Sequence, residues 1–166
     1  MIRTFRAAAI GLLLSLLSGC AFVVLHGIRH AYKAYVKPVN EVEAALAQYR
    51  NLVLGMHPDK VALMFVASAE LSHEDQTPVV GQVAISAYLN SFVGYKVLEY
   101  EMAATGTTLK GETAIQLGNY RQKVEAPGGE SVAVRGTFEA RWSHQADGSW
   151  LISRLHTASG SAGTGS

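Results

Sequence analysis

A chain of 166 residues, 49% hydrophobic and 16% charged, has room for one globular domain and a short extension. Its formal charge of +1 excludes a general electrostatic attraction to nucleic acid. A single cysteine excludes an internal disulfide, a multi-thiolate zinc site and an iron–sulfur cluster, so the compartment has to be read from targeting signals.

Arg3 and Arg6 precede the uncharged apolar run 7–17, and the small residues Ser18 and Gly19 follow it. This is the layout of a secretory signal. The quartet Leu17-Ser18-Gly19-Cys20 resembles the lipobox of bacterial lipoproteins. That resemblance implies cleavage before Cys20, with lipid on its thiol and on the new amino terminus, because several acyl chains hold a membrane firmly where one holds it marginally. Ala21, where that family carries an aspartate for inner-membrane retention, implies the outer membrane.

A second reading stays open: apolar character continues to Leu25, so 7–25 is also long enough to span as an uncleaved anchor. Arg3 and Arg6 on one side and Arg29 and Lys33 on the other leave its orientation undecided. Both readings put the folded body in the cell envelope, facing the periplasm. The chain then divides into a signal (1–19), a membrane-proximal linker (20–37), a domain (38–158) and a disordered tail (159–166). His26 and His30 have metal-ligand spacing, but Arg29 and Lys33 would repel a cation, and a basic helix resting on lipid explains the same residues. No metal and no cofactor is expected.

From Pro38 to Met56, apolar residues recur at Val39, Val42, Leu46, Tyr49, Val53 and Met56, the spacing of an amphipathic helix. Gly55 suits its end and Pro58 the first turn of a short second helix. Residues 67–75 read as a short strand, with 76–80 as its turn. In 81–94 a third helix is expected, Val83, Ala87, Leu89 and Phe92 sharing a face with Ile85 and Tyr88 beside it, and Gly94 closing it. Alternation then takes over, giving strands at 96–107, 113–125, 131–144 and 150–157. Helices first and a four-strand meander after them give an α+β class, with helices packed on an antiparallel sheet. Gly118 and Gly136 sit mid-strand, where long strands bend or bulge, so the sheet is expected to curl strongly into a cone.

Three stretches then carry a family resemblance. They are "VVGQVAISAYLNSF", "TAIQLGNYRQ" with a glycine two residues before an aromatic, and "RGTFEARWSHQADGSWLISRLHTAS" with its closing hairpin. In this order they resemble the nuclear transport factor 2-like superfamily, especially its SnoaL-like and ketosteroid-isomerase-like branches, over about 40–159. The resemblance implies a cystatin-like cone but not one function, since that fold serves isomerases, dehydratases, cyclases and binding modules alike.

Alternation groups Trp150, Ile152, Arg154 and His156 on one face of the last strand, and the resemblance turns that face inward. The strand before it has Val132, Val134, Gly136, Phe138, Ala140 and Trp142 in phase, an apolar face that must be core or pocket lining, and the strand before that has Ala114, Gln116, Gly118 and Tyr120. His73, Tyr120, Trp142 and His156 are therefore the candidate ligand-binding residues. An isomerase, cyclase or dehydratase would use His156 or His73 as base and Tyr120 as oxyanion donor, without a cofactor. No acidic residue falls inward on a strand; Glu99 and Glu101 take the polar side and Asp75 lies in a turn. That balance favours non-catalytic binding of a small apolar ligand or of a protein partner. The row Arg135, Thr137, Glu139, Arg141 offers a homodimer surface, or is simply a solvated sheet face.

Overall fold

The computed structural model describes residues 29–30 and 32–160, which divide after Pro38 into two units. The first contributes an exposed π-helical turn, Tyr32–Val36. The apolar leader, Cys20, His26 and residues 161–166 of the tail lie outside the described residues. Among the described residues, no helix is long and apolar enough to cross a membrane.

Helix α1 (Lys37–Leu54) buries Val42, Ala45, Leu46 and Tyr49, the stripe its sequence period demands. Its end is not made by Gly55. Met56 takes the left-handed position with φ 54°, donating its N–H to the Val53 carbonyl at 3.0 Å, while His57 donates to Leu52 at 3.0 Å. Helix α2 (Pro58–Ala62) starts on its proline. Strand β1 (Phe65–His73) follows, and Val79–Val80, within the expected turn, form a two-residue edge strand β2 antiparallel to it.

Helix α3 (Gln82–Asn90) stops four residues short of Gly94, where the Ser91 hydroxyl donates to the Tyr88 carbonyl at 2.7 Å. Its buried residue is Ile85, while Val83 is 84% exposed, a correction to the expected face. The Gln82 side chain donates to the Phe65 carbonyl at 2.7 Å. This pins the first turn to β1 and brings residue 85, three positions on, over the sheet.

Strands β3 (Lys96–Lys110), β4 (Thr113–Glu125), β5 (Ser131–His144) and β6 (Trp150–Ser159) form the expected antiparallel meander. The full sheet has six strands in the order β2-β1-β6-β5-β4-β3, and β1 joins β6 in parallel. The fold is α+β, with helices on a strongly curved sheet. Both mid-strand glycines serve close approach. A Cβ on Gly118 would collide with the Ala103 carbonyl and the Phe138 ring, and β3 bulges between Ala104 and Gly106 opposite it. A Cβ on Gly136 would collide with the Ala158 carbonyl. Because Gly136 leaves that room, Ala158 and Ser159 pair with Thr137 and Gly136, so the start of the expected tail belongs to the sheet.

One irregularity changes the reading of the last strand. Trp142 pairs with Ile152 but Arg141 pairs with Arg154, so Ser153 is an extra residue and the alternation flips there. Trp150 and Ile152 face inward, then Leu155 and Thr157 take over the inner face. His156 emerges outward, paired with Glu139.

Candidate functional site

Along the inner faces of β4 and β5, the cone is filled at one end and hollow at the other. At the filled end Gln116 is fully buried, and its side chain donates to the Glu43 carboxylate at 2.9 Å and to the Thr107 hydroxyl at 3.2 Å. The Trp142 indole N–H donates to the Gln116 carbonyl oxygen at 2.9 Å. Trp142 is thus a hydrogen-bonded core residue with no exposed surface, and it lines none of the cavities described below.

The hollow end holds two adjoining cavities, or lobes, that share four lining residues. The larger, about 570 Å³, is enclosed by the C-terminal half of α1, α3 and the loop after it, and the far ends of β4 and β5. Val53, Val61, Val97, Val124, Val132 and Val134 supply much of its wall. The smaller, about 430 Å³, is bounded by the end of β1, the loop after it, Tyr120 and Thr157. Both lobes are lined by Tyr88 and Phe92 from the helix side and by Gln122 and Val134 from the sheet side. Tyr88 and Phe92 meet edge-to-face at 5.1 Å, and Phe92 and Tyr95 at 5.9 Å, so an aromatic row edges the opening.

Among the described residues, no Asp, Glu, Lys or Arg lines either lobe. The polar groups are amides, hydroxyls and two imidazoles, His57 in the larger lobe and His73 in the smaller. The buried phenols Tyr49 and Tyr100 lie next to one another, rings 6.3 Å apart. Burial pushes the Tyr49 hydroxyl up to about 12, the Tyr100 hydroxyl opposing it, so this phenol stays neutral. Among the described residues, no cluster of His, Cys, Asp or Glu could hold a metal ion.

His73 and Tyr120, two of the four residues singled out by sequence, line the same lobe. The His73 Nδ1 lies 3.0 Å from the Thr157 hydroxyl. Its Nε2 lies 3.4 Å from the Ser159 hydroxyl and 3.6 Å from the Glu74 carboxylate. Glu74, not Asp75, therefore stands beside the imidazole, in a left-handed turn of φ 50°. The Ser159 side chain and its backbone N–H hold the Glu74 carboxyl below its ordinary value. His156 is not in the cavity. Its Nδ1 meets the Ser72 hydroxyl at 2.9 Å on the outward side, the consequence of the extra residue at Ser153.

Sequence reasoning put Val134 on a face that is core or pocket lining, but did not single out Gln122, Tyr88, Phe92 or His57 as cavity residues. Gln122 was within reach, since it continues the phase of Gln116, Gly118 and Tyr120. Phe92 and Tyr88 stood on or beside the expected apolar helix face, but nothing in the sequence says which part of that face meets a cavity.

A curved sheet over helices with a hollow at its wide end defines a class of protein, and comparison with solved structures agrees. The chain matches a ketosteroid isomerase-like protein from Erwinia carotovora atroseptica with a TM-score of 0.65 at 15% identity, covering 72% of this chain and 94% of the other. It matches an NTF2-like protein of cystatin-like fold from Novosphingobium aromaticivorans with a TM-score of 0.66 at 15% identity, covering 81% and 90%. A conserved protein from Planctomyces limnophilus gives 0.68 at 10% identity, covering 75% and 97%. These likenesses show a shared fold, the cystatin-like fold of NTF2-like and ketosteroid isomerase-like structures. No protein-family model and no curated protein matches the sequence.

Proposed function

We propose that this is an envelope-tethered, non-catalytic binding protein that takes a small apolar ligand into the hollow of its cone. The observation that carries this reading is the larger lobe, about 570 Å³, with no Asp, Glu, Lys or Arg among the described residues that line it. That volume lies within the roughly 300–1,000 Å³ of ligand sites. Burying an apolar body there is favourable by roughly 25 cal/mol per Å² removed from water.

N-phenylnaphthylamine, a neutral dye that brightens in apolar surroundings, tests it on the full-length protein in phosphatidylcholine vesicles. A saturable signal above that of vesicles alone is expected, lost in Val134→Trp, which blocks the region common to both lobes. No saturable signal, or one that survives Val134→Trp in a protein with unchanged circular dichroism, overturns the reading.

The tether rests on Leu17-Ser18-Gly19-Cys20 alone. Mass spectrometry of the membrane-extracted protein should find a lipid-modified Cys20 at the amino terminus. An unmodified Cys20 still preceded by Gly19 rejects it. A second copy could pair through the outward sheet face, where Ile115 and Leu117 stand exposed among polar residues. An isomerase or dehydratase reading has one observation in its favour, the shared lobe of His73 and Tyr120. The lobe supplies no lining carboxylate to join them.

A further inference from the structure

The two lobes differ in chemistry, and the ligand class follows from that difference; this inference rests on the reading that the hollow is a binding site. The larger lobe offers mainly valine and aromatic surface. The smaller gathers hydrogen-bonding groups: His73, Gln76, Thr77, Thr157 and Tyr120. Tyr88 and Phe92 on one side and Gln122 and Val134 on the other line both lobes. A flexible hydrocarbon chain with a polar head at one end matches two adjoining lobes of unlike chemistry.

The head group's charge can also be read. Among the described residues, no Lys or Arg lines the polar lobe. The Glu74 carboxylate stands 3.6 Å from the His73 Nε2, so negative charge already borders this lobe. A carboxylate or phosphate entering this lobe would lose its hydration with no cation to replace it. A neutral hydroxyl or carbonyl instead meets donors and acceptors of its own kind, the Thr157 hydroxyl being central among them, 3.0 Å from His73. The outer edge of the larger lobe is itself apolar and exposed, Val93 by 81% and Val132 by 55%, which suits entry of a lipid directly from an apolar phase.

We propose that the cavity takes an uncharged single-chain lipid, its hydrocarbon in the valine-lined lobe and its hydroxyl or carbonyl head beside His73, Thr157 and Tyr120.

The test is photolabelling of the full-length protein in phosphatidylcholine vesicles. The probes are diazirine-bearing analogues of a long-chain alcohol, a monoacylglycerol and a fatty acid of equal chain length, at a pH where the acid is ionised. The two neutral lipids should label peptides containing Val53, Val93 or Val134 about tenfold more than the acid, a difference of about 1.4 kcal/mol. Thr157→Val should lower labelling by the alcohol severalfold and leave labelling by the acid unchanged. Val134→Trp should abolish labelling; if that variant fails to fold, Val53→Trp serves the same purpose.

Labelling by the acid equal to or above that of the alcohol overturns the proposal, and so does equal labelling in Thr157→Val. If no lipid labels the cavity while N-phenylnaphthylamine still binds there, this proposal fails and the binding function stands. If neither enters, the binding function itself falls.

Discussion

The two ends of the cone are built by the same two strands and behave as opposites. At one end β4 and β5 present Gln116, Ala140 and Trp142, which fill the interior and are tied to Glu43 on α1. At the other they present Gln122, Val124, Val132 and Val134, and the helices above do not reach down to close the gap. Side-chain volume sets the contrast. A large indole fixed by a buried amide makes a solid layer, and a row of valines opposite an aromatic rim leaves a hollow. The filled end is the tightly packed one, and the open end is where the proposed ligand would sit, on a single continuous sheet.

The sharpest way to break this comparison is at the indole. Trp142→Ala should lower the unfolding free energy by about 3–5 kcal/mol, measured by urea denaturation, because it removes the largest fully buried side chain. A loss no greater than a surface substitution gives would mean that the filled end is not the stabilising one. Next is the amide that fixes it. Gln116→Leu should cost about 1–3 kcal/mol in the same measurement, since the Trp142 N–H is left without an acceptor in a dry interior.

Smaller effects belong to the open end. Met56 holds a left-handed conformation at the cavity wall, so Met56→Gly should relieve strain and raise stability by about 1 kcal/mol in thermal unfolding. The smallest change concerns acid. The Glu74 carboxyl is lower in the folded state than its ordinary 4.5, so its contribution is present above that value and fades as pH falls through the lowered one. Glu74→Gln should therefore flatten, slightly, the acid limb of stability against pH followed by circular dichroism. An unchanged acid limb would remove Glu74 from the account.

Much of this architecture could be read directly. The period of α1 named its buried stripe, and the alternation of β4 separated Ala114, Gln116, Gly118 and Tyr120 from their exposed neighbours, as the structure has them. Gly118 and Gly136 marked the close approaches. The candidate site was only half legible: His73 and Tyr120 meet in one lobe, whereas Trp142 is core and His156 faces out.

Periodicity is a property of a segment by itself, so the sequence alone determined the elements, their order and most of their inward faces. The flip at Ser153 comes from how β6 pairs with Arg141 and Trp142, and the roll of α3 comes from a contact between Gln82 and Phe65. Pairings across strands and contacts between distant elements exist only once the chain has closed on itself. For that reason tertiary structure alone decided which histidine looks into the cone, and which end of the cone is hollow.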